Sequence, residues 1–385
     1  MNILYIGSSS DWHVDLWVNY FSDKHNVHLF SDKEDYLKNQ PFKGVTVIEV
    51  EGWFSWAINS LKVKSHKVYQ LNKLLFVKSY AKRVDECIGR FDIDIVHAHS
   101  LYYGYLASFI KSNVPVIFTP MGSDVILHAQ KNKIHRYMAQ KSFLRADIIT
   151  GDSLLLQEKG YNVGAKRENN YVIQNGVDTS IFFPKNNSIA KKFGVRNNET
   201  LIFSPRGFTP LYNIDIIVES LYMLITNNYK VKCMFSYAFG NEYSKKIKRK
   251  IKKYGIEKNV IWLGYIDYKE MADYYNASDI VISIPSSDSS PKSVYEAMFC
   301  KKPVVVTDLE WSYELLDDAI CLKRVPVKDA EESYKALAHL IDDEVYRKKL
   351  AENALIEANK YFSYANNMKM MERIMFDAVN GVDSD

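Results

Sequence analysis

Short apolar runs rich in β-branched residues recur along this chain, with longer stretches of helical spacing between them. In the amino-terminal part the runs fall at 3–6, 45–50, 93–97, 114–118, 148–149 and 172–173. A strand buried on both faces shows no polar alternation, so such runs, separated by amphipathic stretches, predict βαβ units around a parallel sheet. The pattern breaks at Asn175, Gly176 and Asp178, turns near 184–187, and restarts with runs at 201–203, 231–235, 260–263, 280–284 and 304–306. The simplest organisation is α/β: two Rossmann-like, doubly wound domains over 1–183 and 184–360. In such sheets ligands bind beyond the carboxyl ends of the strands, which places the expected chemistry in a cleft between two facing domains.

Leu71, Leu74, Val77, Ala81, Val84 and Ile88 recur at three- and four-residue spacing and predict an amphipathic helix. Basic residues crowd the same region: Lys62, Lys64, Lys67, Lys73, Lys78, Lys82 and Arg83 follow Trp53, Phe54, Trp56 and Ile58, with no acid among them. Positive charge beside aromatics suits an anionic membrane surface, and the competing reading is a solvated helix face over buried aromatics. The second basic run, 245–253, reads as a solvated helix.

Composition narrows the classes. With 47% hydrophobic and 25% charged residues the chain is neither disordered nor low in complexity. Its net charge of +4 argues against a dedicated nucleic-acid binder. The 4 cysteines form no CxxC pair, so neither a disulfide framework nor a zinc cluster is expected. No apolar run approaches the ~20 residues that span a bilayer, and 1–10 lacks a basic leader; a cytoplasmic protein is expected.

The segment 284–296 is the most informative. A buried strand runs into a small polar loop, and a helix is expected to start with Ser290 as N-cap and Pro291 at its first position. The amides of Lys292, Ser293 and Val294 would then face an anion, phosphate being the natural guest. Glu296 lies one turn beyond Lys292, and its carboxylate suits two hydroxyl donors from a ribose diol; a capped helix with an exposed Glu-Lys pair is the alternative. Arg206 follows the first strand of the second half, where a guanidinium suits a diphosphate. Gly7 follows the first strand of the chain in a loop that lets backbone approach a ligand, without the GxGxxG of a nicotinamide or flavin site. His97, His99 and Asp124 interrupt strand ends; polar groups of the cleft wall are the expected role, with satisfied buried histidines as the alternative. No third metal ligand follows at a recognisable spacing, so no metal is expected.

Together these residues resemble family 4 of the retaining glycosyltransferases, of GT-B fold. The phrases that carry the resemblance are Ile-Gln-Asn-Gly-Val-Asp from Ile173 with Phe183 and Pro184, Val-Ile-Trp-Leu-Gly from Val260 with 271–275, and Glu-Ala-Met from Glu296 with Lys-Pro-Val-Val-Val-Thr-Asp from Lys302. The resemblance implies a nucleotide sugar, expected to be UDP-linked, in the second domain, with Arg206 on the diphosphate, Glu296 on the ribose, and backbone near Gly264 and Tyr265 on the base. It also implies that 361–385 is a terminal helix crossing back toward the first domain. The sequence departs from the family in three places. Asp288 stands where a glutamate usually precedes Glu296, and is expected to reach the donor sugar's hydroxyls. The lysine that commonly accompanies the arginine is absent from the segment Pro210, Leu211, Tyr212, Asn213, and Lys292 is expected to replace its charge. Met121 stands where a histidine is common. The expected acceptor is a cell-surface glycan or glycolipid, with peripheral contact to the inner face of an anionic membrane. A nucleotide-sugar epimerase of the same shape and a non-catalytic binding relative are the alternatives; the first would need acids and bases acting on the sugar ring and fits the late phrases less well, and the second, which Met121 and the missing lysine favour, is disfavoured by Arg206 and Glu296.

Overall fold

A computed structural model of the chain describes residues 1–9, 11–32, 45–50, 73–236, 240–314 and 320–381. The aromatic and basic positions from Trp53 to Lys67, and Leu71, lie outside the described residues. The chain divides into two compact units, Met1–Ile173 with Met368–Asp385, and Gln174–Asn367.

The first unit holds strands β1 (Asn2–Ile6), β2 (Asn26–Asp32), β3 (Val45–Val50), β4 (Ile95–His99), β5 (Val116–Thr119), β6 (Ile148–Gly151) and β7 (Asn170–Val172). They form one sheet in the order β3-β2-β1-β4-β5-β6-β7, and every pairing is parallel. The second unit holds β8 (Thr200–Ser204), β9 (Val231–Phe235), β10 (Val260–Trp262), β11 (Ile280–Ser283), β12 (Val304–Thr307) and β13 (Lys323–Val325). Their order is β10-β9-β8-β11-β12-β13, again all parallel. Both sheets are therefore Rossmann-like, and each reverses its winding once, between β1 and β4 and between β8 and β11.

The apolar runs that announced the strands are explained by burial on both faces. In the second sheet Leu201, Phe203, Met234, Val281, Val304 and Val306 pack into one core, while Ile202, Cys233, Phe235, Ile280, Ile282 and Val305 pack into the other. Two strands were absent from the expected set. β2 alternates Val27, Leu29 and Phe30 with His28 and Ser31, so no uninterrupted run marks it, and β13 is a short edge strand carrying Lys323 and Arg324.

The division between units falls ahead of Pro184, because 174–183 belongs with the second core. Phe182 is fully buried against Tyr268 and Tyr275. The Val177 amide donates to the Phe362 carbonyl at 2.8 Å, and the Tyr364 amide donates to the Val177 carbonyl at 3.1 Å. Gly176 makes this approach possible: its φ is +70°, and a Cβ there would stand 2.6 Å from the backbone of Tyr364. The last helix, Tyr364–Asn380, begins in the second unit, and from Met368 onward it counts with the first. Its Glu372 accepts from Lys24 at 3.1 Å and pairs with His25 at 2.9 Å.

Helix Val77–Arg90 buries Val77, Ala81, Val84 and Ile88, as its spacing predicts. Lys73 departs from both readings of the basic stretch. It is buried, with its ammonium 4.4 Å from the ring centre of Tyr102 and 5.2 Å from that of Tyr103, so its charge is held by aromatic faces.

Candidate active site

The carboxyl ends of β8 and β11 flank the point where the second sheet reverses, and the loops leaving them are tied together. Asn213 adopts a left-handed conformation, with φ 50° and ψ 41°, which an asparagine tolerates better than most side chains. Its amide group donates to the Ile284 carbonyl at 2.9 Å and to Ser286 Oγ at 3.0 Å, while the Ser286 amide donates to the Leu211 carbonyl at 2.8 Å.

That frame holds Arg206. One guanidinium nitrogen donates to Asp288 Oδ2 at 2.8 Å, another donates to Ser293 Oγ at 3.1 Å, and the Tyr212 ring centre lies 4.2 Å from Cζ. The side chains of Arg206 and Asp288 are each 15% exposed. The other Asp288 oxygen accepts from the Ser289 amide at 3.0 Å. Asp288 is thus turned onto Arg206, with both of its oxygens engaged, and Tyr212 supports the guanidinium in the segment from which a lysine is missing.

Helix Lys292–Phe299 starts one residue later than expected. Pro291 is its N-cap and makes no side-chain capping bond. Ser290 instead donates its hydroxyl to Gln174 Oε1 at 2.7 Å. The Val294 amide, expected to face an anion, donates to the Pro291 carbonyl at 2.9 Å, because a tight first turn consumes one of the orphan donors.

Glu296 is buried, at 6% exposure, so it is not one member of an exposed pair. Tyr275, fully buried beside Phe182 and Phe203, donates its hydroxyl to Glu296 Oε2 at 2.9 Å. Burial pushes the Glu296 carboxyl up to about 7, against the opposing pull of Lys292, the Tyr275 hydroxyl and Arg206. Burial lowers the Lys292 ammonium, opposed by Glu296 and Asp178. The Lys292 ammonium lies 4.7 Å from the ring centre of Tyr268. Arg206, Asp288, Ser293, Lys292 and Glu296 therefore form one cluster. Gly264 and Tyr265 lie in the loop after edge strand β10, where Gly264 is exposed and Tyr265 is 72% exposed.

In the first unit, the Gly7 amide donates to the Phe30 carbonyl at 3.2 Å. A Cβ at Gly7 would meet Val14 at 2.9 Å and His99 at 3.5 Å, so its smallness serves the packing of the loop after β1. Asp11 caps helix Trp12–Ser22 by accepting from the His13 amide, and it pairs with the His13 ring at 2.9 Å. His97 and His99 lie in the interior among Tyr5 and Trp17, their own rings 4.2 Å apart. His97 Nε2 lies 2.7 Å from Thr119 Oγ1. Burial depresses His97 well below the ordinary range and pushes His99 down to about 3, so both rings are neutral. Both rings are buried, as the alternative expects, but they are not satisfied: His97 Nδ1 and both ring nitrogens of His99 have no hydrogen-bond partner among the described residues. Asp124 accepts from the Leu101 amide at 2.9 Å and from the Met121 amide at 3.2 Å, holding the start of helix Leu101–Ala107. Among the described residues no group of three or more His, Cys, Asp or Glu is arranged to hold a metal ion.

Tyr212, Tyr275, Tyr268 and Gln174 complete the cluster without having been named as site residues, and Ser293, expected to offer its amide to an anion, accepts from Arg206 through its hydroxyl. Their contacts join distant segments, and the phrase at 271–275 was the one signal that touched Tyr275.

Two parallel Rossmann-like sheets, with a cationic and acidic cluster where the second reverses, define a GT-B fold. The family described as "Glycosyl transferases group 1" matches residues 185–356, and "Glycosyl transferase 4-like" matches residues 2–153. An uncharacterized glycosyltransferase of Methanocaldococcus jannaschii is 24% identical over 280 residues, which are 71% of this chain and 72% of that protein. The alpha-monoglucosyldiacylglycerol synthase of Streptococcus pneumoniae is 21% identical over 288 residues, 70% of this chain and 64% of that protein's length. The crystal structure of Anabaena HepE in complex with UDP and glucose superposes with a TM-score of 0.76 at 17% identity, covering 98% of this chain and 100% of that one. The chain belongs to the family 4 type of GT-B glycosyltransferases.

Proposed function

We propose that the protein transfers a sugar, with retention, from a UDP-linked donor to a hydroxyl of a cell-surface glycan or glycolipid, and that it needs no bound metal. The observation that carries this reading is the cluster of Arg206, Ser293, Lys292 and Glu296 at the reversal point of the second sheet. In the reaction the bond from the anomeric carbon to the diphosphate oxygen breaks and a bond to the acceptor oxygen forms. The acceptor proton passes to the departing diphosphate, on the face that the nucleophile also uses, so no strong enzymic base is required. Charge grows on the leaving phosphate oxygens, and Arg206 is the cation assigned to it. Glu296, oriented by Tyr275, accepts from the ribose diol, with Lys292 beside it. The UDP and glucose bound by HepE support a UDP-linked donor, and the name of the Streptococcus pneumoniae relative supports a glycolipid acceptor. The basic and aromatic stretch of the sequence supports contact with an anionic membrane from the cytoplasmic side. Among the described residues no helix is long and apolar enough to cross a membrane.

Incubation with a panel of nucleotide sugars and lipid or glycan acceptors tests the reading. Release of UDP with formation of an α-linked product from an α-linked donor is expected. Inversion at the anomeric carbon, epimerisation of the donor, or turnover confined to another nucleotide would overturn the corresponding part.

A further inference from the structure

The Arg206–Asp288 pair has a consequence beyond the assignment of Arg206 to a diphosphate, although it rests on that assignment. A guanidinium meant for a doubly charged leaving group is here occupied by a carboxylate of its own chain. Asp288 Oδ2 takes one nitrogen at 2.8 Å, Ser293 Oγ takes another, and Tyr212 covers a face, so the cation is neutralised and largely withdrawn from water. Asp288 is itself satisfied in this position, since its second oxygen accepts from the Ser289 amide. A diphosphate entering the cluster meets a carboxylate of like charge on the cation it needs, and the two compete for the same donors.

We propose that Asp288 is a placeholder for the diphosphate: it holds Arg206 in position while the site is empty, leaves it when the donor binds, and returns to it as the nucleoside diphosphate departs. Asp288 is thus a positioning residue that weakens diphosphate binding and speeds product release. A residue whose purpose was only to hold the ligand would strengthen binding. Its placement explains why the loop from Ile284 to Pro291 is fastened at Asn213 and Ser286 on one side and at Ser290 with Gln174 on the other, with the carboxylate between the two anchors. Release of Asp288 also frees its acceptor oxygens for hydroxyls of the sugar carried on the same diphosphate.

The test is a binding cycle on the full chain. Inorganic pyrophosphate, UDP, GDP and ADP are titrated by calorimetry at fixed ionic strength into the parent, Asp288→Asn, Arg206→Ala and the double variant, with Asp288→Ser as a second substitution should the amide disturb the loop. Asp288→Asn should bind pyrophosphate and its preferred nucleoside diphosphate about 10-fold more tightly than the parent. Its steady-state turnover should fall while a burst of product appears in the first turnover, because release has become slow. In the Arg206→Ala background the same change should alter affinity by less than about 2-fold, which separates the pair from a general effect of removing one charge. Unchanged or weaker diphosphate binding by both Asp288 variants, with Arg206→Ala weakened, overturns the placeholder and leaves the function standing. Binding that is indifferent to Arg206, or no binding of any of these anions, overturns the assignment of the diphosphate and the inference with it.

Discussion

Glu296 holds its carboxyl near pH 7 because burial outweighs the help it receives from Lys292, Tyr275 and Arg206. In the unfolded chain the same group titrates near its ordinary 4.5. Between these values the native protein carries a proton that the unfolded chain has released, so stability falls as pH rises from about 4.5 to about 7 and is level above. The full difference is at most about 3 kcal/mol, at 1.36 kcal/mol per pH unit. Glu296→Gln, whose carbonyl still accepts from Tyr275, should therefore gain about 1–3 kcal/mol over the parent at pH 8 and little at pH 5 in urea denaturation. An equal difference at both pH values would show that Glu296 does not titrate in this window. In catalysis the ionised form is the one that accepts from a diol, so kcat/KM of the parent should rise through about pH 7 and that of Glu296→Gln should not. Arg206→Ala and Glu296→Ala should each lower turnover at least ~10-fold, from the ~1.5–3 kcal/mol that a charge-assisted partner contributes, with Arg206 affecting kcat more than KM. Parent-like rates in folded variants would remove these residues from the chemistry.

At the scale of elements, two loops and one junction carry the site, and the loop after β8, at Asn213, and the junction, at Gly176, each depend on a left-handed backbone conformation that few side chains accept. Gly176 has φ +70° and no room for a Cβ beside Tyr364. Gly176→Ala should destabilise the second unit by about 2–4 kcal/mol, combining left-handed strain with a backbone clash, and should lower the melting temperature of the full chain. A melting temperature equal to the parent's would show that 362–364 yields. The strand runs were legible because burial on both faces leaves them uninterruptedly apolar, and the helix at 77–90 because its buried positions recur every three or four residues. The start of helix Lys292–Phe299 was legible only to within a residue: serine and proline both favour a helix start, and the bond from Ser290 to Gln174 decided between them. β2 was missed because its polar positions interrupt the apolar run, although it lies next to β1 in the interior of the sheet.

At the scale of the whole molecule, two predictions concern partners. Because protein groups are assigned to the leaving diphosphate, transfer in excess chelator should retain most of its rate; complete loss restored by magnesium or manganese would refute this. Lys62, Lys64 and Lys67 belong to the stretch outside the described residues, and their replacement by serine should weaken a salt-sensitive cosedimentation with anionic vesicles. Equal binding to neutral vesicles, or none to either, would favour a solvated face. Lys73 is left out of that substitution, since its charge is buried against Tyr102 and Tyr103.

The sequence by itself determined the two parallel sheets, the break between their patterns and the residue types of the site, because hydrophobic period and strand-end chemistry are local properties. Arg206, Asp288, Lys292 and Glu296 could be named from the residues that precede and follow their strands, together with the family phrases. Only the tertiary structure decided what each one faces. It turned Asp288 onto Arg206, buried Glu296 under Tyr275, set Lys292 over Tyr268, and withdrew His97 and His99 into the interior of the first unit. Each of these depends on side chains far apart in the chain meeting at a strand end, and on how much water the packing leaves there. Neither quantity has a period that a single sequence can display.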